Sequence, residues 1–504
     1  MAIEAMAIQT KEIGSKTVKQ RSDNAKRIKP DDLKGVVRKL EGLIEVVVLM
    51  FCFYFVWKAF YRDELPYSYY GNGKFLLMFV YAFLVLILFY LCDSFQYGHR
   101  KLPEIVISQW ISVLIVDFVT YFQLCLIGNH MLNPLPMLYL YGGELIVTFL
   151  CAYIYTAIYH QMYVPKNMVM IYGNEKAVNL KFKMDTRSDK YQITKVLNYD
   201  KGYDVIRKEI TAHDAVIIND VPAQTRNDIL KYCYQRGIRT YLVPKITDII
   251  ARGAEDISLF DTPLLLVKGR GLNPVQRFVK RTFDILLCLI AMIPGIPLML
   301  IVAAAIKLED GGPVFYKQKR LTKDDREFEI LKFRSMVVDA EKGGYRMDMR
   351  ASNKDPRITK VGNIIRACRI DEFPQILNIL KGDMSIVGPR PERLENAKEY
   401  KESIPEFTYR TKVKAGLTGY AQIYGKYNTS PYDKVRLDLM YIENYSFFLD
   451  IKLIFMTLQI LVKPESTEGF DKEKEIDNLR NTLLAEEKLI GEKEVAATRE
   501  DSGE

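Results

Sequence analysis

Asp371 and Glu372 stand side by side in the stretch CRIDEFPQILNILKGDMSIVGPRPE, which ends on an arginine between two prolines, Gly388-Pro389-Arg390-Pro391. A carboxylate can serve as general base, metal ligand or nucleophile, and an adjacent pair can divide those roles. Cations crowd around the pair in sequence: Arg366 and Arg369 before it, Lys381 and Arg390 after it, and Lys332 and Arg334 in ILKFRSM. Arginine is suited to bidentate recognition of phosphate oxygens. Flanking prolines with preset φ would hold Arg390 on a stiff turn. Taken singly, an Asp-Glu pair reads more simply as a surface salt bridge. Together with these cations it points to a phosphate substrate held with a divalent cation. Magnesium is the default metal, since it takes few protein carboxylates and shares its shell with substrate phosphates; Asp371 and Glu372 are its candidate ligands.

The composition narrows the alternatives. The chain has 504 residues, too many for one ordinary core. A net charge of +9 with 49% hydrophobic residues suits a protein that holds a membrane and turns a basic face to anionic head groups. Nucleic acid is the competing reading of that charge, but neither zinc-finger spacing nor an RNP-like motif occurs, so no nucleic-acid partner is expected. The seven cysteines are scattered without a CxxC pair, which indicates neither a disulfide framework nor a zinc site and fits a reducing cytoplasm. The last of only four histidines is His213, so imidazole does not carry the chemistry of the C-terminal half.

The elements that must position the candidate site begin with a basic N-terminus, residues 1–39, which lacks the apolar region of a secretory signal. Within residues 40–163, four apolar stretches (Leu43–Phe60, Phe75–Leu91, Ile105–Ile127 and Met137–Tyr159) each approach the ~20 residues needed to cross a bilayer. Lys and Arg flank them on alternate sides, so four crossings return the chain to the cytoplasm. Residues 164–268 change to short β-branched runs such as MVMIYG and DAVIIND between helical stretches, a small Rossmann-like α/β domain. Its first strand ends in IYGNEKAV, with the single glycine Gly173 where a dinucleotide fingerprint needs three. The expectation is a degenerate domain with a structural or regulatory role. Residues 269–463 open with a basic approach to an apolar run, Ile285–Ile306, interrupted by Pro294, Gly295 and Pro297. A fifth crossing would put the candidate site outside the cell, away from nucleotide-activated substrates. A kinked re-entrant helix, broken at Pro294 and Pro297, avoids that; a kinked full span is the alternative. FFLDIKLIFMTLQILV, near the end of the same region, reads as an interfacial or a buried helix. Residues 464–504 form a charged tail, a solvated helix or a disordered end.

The motifs KRTFDILLCLIAMIPGIPLML, GGPVFYKQKRL, EFEILKFRSMVVDAE, DPRITKVGNIIRACRIDEFPQILNILKGDMSIVGPRPE, VKAGLTGYAQIYGKYN and LDLMYIENYSFFLDIKLI occur in unbroken order. Together, over about residues 274–463, they resemble the bacterial polyprenyl-phosphate sugar-1-phosphate transferases that initiate exopolysaccharide, capsule or O-antigen synthesis. The four spans and degenerate α/β domain are similar to the large, multi-domain members. The implied fold is a membrane protein with a four-helix transmembrane bundle, a Rossmann-like α/β domain, and a mostly α-helical catalytic domain anchored by the re-entrant helix. The family pattern often has serine before the helix-breaking proline, where this chain has Ile296 before Pro297.

The resemblance implies an undecaprenyl-phosphate sugar phosphotransferase of the inner membrane, with its active site facing the cytoplasm. A sugar-1-phosphate passes from a UDP-sugar to undecaprenyl phosphate, UMP is released, and Asp371 forms a covalent phosphosugar-aspartyl intermediate. Glu372 assists, by orienting the metal or by activating the incoming phosphate. Arg366 and Arg390, and less directly Lys332 and Arg334, grip phosphates. Gly416, Thr418, Gly419 and Gln422 match a GLTGxAQ loop, in which glycine permits close backbone approach to a ligand; a purely structural turn explains them equally well. UDP-glucose or UDP-galactose is the expected donor, ahead of N-acetylated sugars. A homodimer and contacts with other polysaccharide-assembly proteins are compatible with this reading. Two rival functions stay open: a membrane glycosyltransferase that releases UDP, and a non-catalytic membrane scaffold for polysaccharide assembly.

Overall fold

The structure is a computed structural model, which describes residues 30–462 apart from 67–68, 70, 99, 164, 175–176, 270, 339–356 and 426–428. The charged tail expected at 464–504, and the basic N-terminus up to residue 29, lie outside the described residues. The chain divides into two compact units, Met1–Val164 and Pro165–Glu504.

The first unit contains four long helices: α1 (Pro30–Val56), continued by a π-helical turn at Trp57–Tyr61, then α2 (Gly73–Leu91), α3 (Leu102–Gly128) and α4 (Leu135–Met162). They coincide with the four apolar stretches but run past several of their ends, because backbone hydrogen bonding continues after hydropathy falls. Helix α1 packs on α2 and α4, and α3 on α2 and α4. Large apolar side chains such as Phe79, Leu126 and Ile146 point outward, while polar groups are enclosed. The Tyr81 hydroxyl donates to Glu144 and, at 3.4 Å, to Asp117 Oδ1. Gln109 Nε2 donates to Glu45 Oε2 at 3.2 Å, and the Tyr97 hydroxyl donates to the same carboxylate. Apolar groups outside and hydrogen-bonded polar groups inside reverse the soluble pattern and are how helices associate in lipid. Among the described residues, these four helices and one more in the second unit are long and apolar enough to cross a membrane. This is a membrane protein.

The second unit opens with the α/β domain: β1 (Lys166–Tyr172), α5 (Ala177–Asp185), β2 (Tyr191–Asn198), α6 (Tyr203–Ala212), β3 (Ala215–Asn219), α7 (Ala223–Gln235), β4 (Arg239–Leu242) and α8 (Ile246–Arg252). The four strands form a parallel sheet in the order β2-β1-β3-β4. Val216 and Ile218 face one apolar cluster and Ala215 and Ile217 the other, as a sheet covered on both faces requires. The order reverses between β1 and β3, where ligands of such sheets usually bind beyond the strand ends. Here the backbones that follow the two strands meet at Gly173. Gly173 N donates to Asn219 O at 3.1 Å, and a Cβ on Gly173 would lie 2.3 Å from Asp220 O. The lone glycine is thus accounted for by packing, without a pyrophosphate. Gly173→Ala is expected to destabilise this domain by about 1–3 kcal/mol, seen as a lower melting temperature. A glycine that served a nucleotide would instead lose nucleotide-induced stabilisation at an unchanged melting temperature.

A hairpin, β5 (Glu255–Leu259) with β6 (Thr262–Leu266), leads to α9 (Pro274–Asp310). Asn273 and Gln276 cap α9 reciprocally, and Gly311 ends it at φ 69°. The sequence suggests a break at mid-helix. The structure instead assigns one helix of 37 residues with Pro294 and Pro297 inside it. These prolines withdraw the bonds that would reach Ile290 and Ile293. One side of α9 (Asp284, Cys288, Gly295, Val302, Ile306) is buried on the domain that follows, and Leu289, Ile293 and Leu300 are exposed.

That domain comprises β7 (Phe315–Leu321), β8 (Glu327–Phe333), α10 (Lys360–Ala367), α11 (Gln375–Lys381), β9 (Met384–Val387), α12 (Leu394–Ser403), β10 (Ala415–Thr418), α13 (Tyr420–Tyr424), α14 (Pro431–Glu443) and α15 (Phe447–Val462). It is mostly helical, with an antiparallel β7-β8 pair and a parallel β9-β10 pair. Its core holds Val387, Phe407, Val435, Leu439 and Leu453, and takes in Ile246 and Ile249 of α8, so the α/β domain is packed onto it.

Candidate active site

Asp371 and Glu372 end a 3₁₀ turn, Ile370–Glu372, that joins α10 to α11. Thr359 caps α10, its Oγ1 accepting from Gly362 N at 2.9 Å. The chain then reverses at Arg369, which takes a left-handed φ of 57°. For a non-glycine residue this is a conformation the surroundings must enforce, and such strain concentrates at functional sites. Phe373 and Pro374 lead into α11, whose Asn378 is 3% exposed. Its Oδ1 accepts from Leu331 N at 2.9 Å and its Nδ2 donates to Glu329 O at 2.7 Å. Asn378 therefore fixes strand β8, and with it Lys332, against the carboxylate turn. In sequence it is only a polar residue in the apolar run ILNIL.

The two carboxylates have different surroundings. Glu372 Oε1 accepts from Lys332 Nζ at 2.6 Å and from Arg390 Nη2 at 2.9 Å. Burial would raise the Glu372 carboxyl, but the Arg390 and Lys332 charges outweigh it and hold the group well below the usual carboxylate range. Asp371 has no side-chain hydrogen bond or ion pair among the described residues. Burial, then the adjacent Glu372 charge, raise it above its ordinary value, while Lys332, Arg369 and Arg366 pull the other way. Arg366 and Arg369 are thus electrostatic neighbours of Asp371 without bonding it.

Arg390 is carried on a turn spliced to the GLTG loop, backbone to backbone. Gly388 N donates to Thr418 O at 2.8 Å and Gly416 N to Pro389 O at 2.9 Å. A Cβ on Gly416 would sit 2.1 Å from Gly388 N, and one on Gly419 2.1 Å from Gly388 O. The two glycines serve this close approach of two strands. Thr418 is buried, its hydroxyl 2.6 Å from that of Thr457. Gln422 differs: both ends of its amide are buried without a hydrogen-bond partner among the described residues.

Arg334 lies elsewhere. Its Nε donates to Pro313 O at 2.7 Å and its guanidinium pairs with Asp310, clamping the C-terminal end of α9. Sequence reasoning missed Arg410, which lies 20 residues from Arg390 and is 4% exposed. Its Nε donates to Asp438 Oδ2 at 2.5 Å and its Nη2 to the Arg390 carbonyl at 3.1 Å. No local motif marks either partner. Glu392, inside GPRPE, accepts from Lys434 at 3.2 Å.

For a metal, the donor set is small. Among the described residues no group of three or more His, Cys, Asp and Glu gathers to hold one. Glu372 already accepts from two cations, which leaves Asp371 as the available carboxylate. A single carboxylate with substrate phosphates is compatible with magnesium.

Residues 275–464 match the family profile described as bacterial sugar transferase. An Aeromonas hydrophila protein named UDP-N-acetylgalactosamine-undecaprenyl-phosphate N-acetylgalactosaminephosphotransferase is 42% identical over 193 residues, 38% of this chain and 45% of that protein. The Escherichia coli K12 UDP-glucose:undecaprenyl-phosphate glucose-1-phosphate transferase is 39% identical over 212 residues, 41% of this chain and 43% of the relative. The chain thus spans less than half the length of these two relatives. The Rhizobium meliloti exopolysaccharide production protein ExoY is 38% identical over 213 residues, and 92% of its length is covered. The matched segment contains Lys332, Arg366, Asp371, Glu372, Arg390 and Gln422.

Proposed function

Because this chain belongs to the bacterial sugar transferase family, we propose that it transfers a sugar-1-phosphate from a UDP-sugar to undecaprenyl phosphate, releasing UMP, in the first membrane step of polysaccharide synthesis. The observation that carries the assignment of roles is the asymmetry of the carboxylate pair. Glu372 is held as an anion by Lys332 and Arg390, whereas Asp371 is unbonded among the described residues and available to attack.

Asp371 Oδ attacks the sugar-bearing phosphorus as the bond from that phosphorus to the oxygen bridging to UMP breaks. A phosphate oxygen of undecaprenyl phosphate then attacks the same phosphorus, the bond to Asp371 breaks, and the carboxylate is regenerated. Such transfers depend on in-line positioning and charge neutralisation. Glu372 is the positioning residue that fixes Lys332 and Arg390 beside the diphosphate, and Arg366 adds positive charge next to Asp371. Magnesium, held by Asp371 and the substrate phosphates, would supply neutralisation of the diphosphate charge.

The placement proposed is the inner membrane, crossed by a four-helix transmembrane bundle, with the site facing the cytoplasm. Support for a re-entrant α9 comes from its two ends, which are held by one domain. Lys280 pairs with the buried Asp450 at 2.6 Å near the start, and Glu309 accepts from Lys360 N at 2.7 Å at the end. Both ends therefore belong on one side, and the exposed apolar face between them enters the bilayer only part way. Its proline region also touches the catalytic turn: a Cβ on Gly295 would meet the Phe373 ring at 2.3 Å. Gly295→Leu is expected to displace Phe373 and lower kcat by about 10²-fold, with partial recovery when Phe373→Ala is added. Unaltered kcat would separate the membrane helix from the carboxylate turn.

The reading is tested by nucleotide release from the detergent-purified protein given undecaprenyl phosphate, magnesium and a panel containing UDP-glucose, UDP-galactose and their N-acetylated counterparts. UMP is the expected product with a preferred sugar. UDP would indicate sugar transfer without phosphate, and no release from any donor would favour the scaffold.

A further inference from the structure

Strand β7 runs beside the Arg390 turn, and its alternation leaves Lys317 and Lys319 exposed while Tyr316, Gln318 and Arg320 are half-buried. Arg320 reaches that turn directly. Its Nη1 donates to Pro391 O at 3.1 Å and its Nη2 to Gln318 Oε1 at 2.6 Å, while Nε is buried with no hydrogen-bond partner among the described residues. Arg320 also pairs with Arg393 across a β-bridge. The Arg393 and Arg390 charges both act on the Arg320 guanidinium, so three cations lie near one proline turn.

Among the described residues, two nearby carboxylates bond other cations. Glu372 accepts from Lys332 and Arg390, and Glu392 from Lys434, with Arg410 at 3.7 Å. No carboxylate bonds Arg320 among the described residues. Burial, then the Arg393 and Arg390 charges, push the Arg320 guanidinium down to about 10, against the smaller opposing pull of Glu392. A half-buried cation crowded by its own kind, with an N–H left over, is completed by an anion.

Resting on the transfer reading above, we propose that Arg320, together with Arg393, binds the α-phosphate of the nucleotide donor, the phosphate that departs in UMP. Arg390 lies between two neighbours: Glu372 at the carboxylate end, and Arg320 on the Pro391 side. The sugar-bearing phosphate faces Asp371, so the next phosphate along the diphosphate meets Arg320. A mere structural tie between β7 and the turn would explain the bond to Pro391 but not the unused Nε or the crowding of three cations.

The test is UMP and uridine binding to the full-length protein in detergent, alongside KM for the UDP-sugar. Arg320→Gln is expected to weaken UMP by roughly 10- to 100-fold, leave uridine unchanged and raise KM for the donor; Arg320→Lys recovers part of the loss. If Arg320→Gln melts early, Arg393→Gln carries the comparison, with a smaller loss specific to UMP. Wild type that releases UMP, with variants that bind it within twofold of wild type, overturns this inference and leaves the transfer reading standing. Wild type that binds neither UMP nor any UDP-sugar overturns both.

Discussion

Asp371→Asn is expected to reduce UMP release by roughly 10⁴-fold or more without changing the melting temperature. The amide keeps the shape of the carboxylate, and no hydrogen bond or ion pair of Asp371 among the described residues is lost. Glu372→Gln acts differently. It leaves the proposed nucleophile in place but releases Lys332 and Arg390, whose Nζ and Nη2 lie 2.6 and 2.9 Å from Glu372 Oε1. The pH profiles separate the two roles. Asp371 must be ionised to attack, and burial followed by the Glu372 charge raises its pKa above the ordinary 3.8. Activity therefore falls, as pH is lowered, earlier than for an ordinary aspartate. In Glu372→Gln the repelling charge is gone and two cations are unmasked, so the acid limb of kcat/KM moves to lower pH. An acid limb that stays in place would remove Asp371 from the role assigned here.

The second large effect falls on Arg410. Its partner Asp438 is 1% exposed and the two meet at 2.5 Å. Removing one member of a buried ion pair costs about 3–5 kcal/mol, because the other charge is left without compensation. Arg410→Ala is thus expected to lower the stability of the domain that follows α9 by that amount, measured by thermal unfolding in detergent. Replacing both residues by apolar ones, Arg410→Met with Asp438→Leu, is expected to restore much of the stability but not the activity. The Arg390 carbonyl loses its donor in either case, and a turn out of place by 1 Å can cost 10²-fold in rate. Recovery of full activity in the double variant would show that Arg410 supports the fold alone.

The pair at Asp371 and Glu372 and the stiff turn at Arg390 were legible because short motifs encode them: adjacent carboxylates, and an arginine between prolines. The parallel sheet was legible because a strand buried on both faces reads as a continuous apolar run, as in MVMIY and AVIIN. Arg410, Asp438 and Asn378 were not, since their partners come from distant segments and only the tertiary fold joins them. For the same reason Lys332 and Arg334, two positions apart, could not be told apart in sequence. Lys332 is on β8 and meets Glu372, whereas Arg334 lies just past the end of the strand, where the chain is no longer bound to its alternation, and is buried beside Asp310. The membrane spans are legible from hydropathy, whereas the enclosure of Glu45, Asp117 and Glu144 is not. Each is a lone acid in an apolar stretch, and only packing shows that Tyr97 and Tyr81 face them.

In the proposed mechanism Asp371 becomes covalently linked to the sugar-bearing phosphorus, a bond that mass spectrometry of the purified protein can detect. The protein is incubated with its UDP-sugar and magnesium, without lipid acceptor, then quenched and digested. A sugar-phosphate adduct is expected on Asp371 that forms as UMP appears, is absent from Asp371→Asn, and disappears when undecaprenyl phosphate is added. UMP release that requires the lipid from the first turnover, with no adduct on any residue, would contradict this mechanism and indicate direct transfer from donor to lipid.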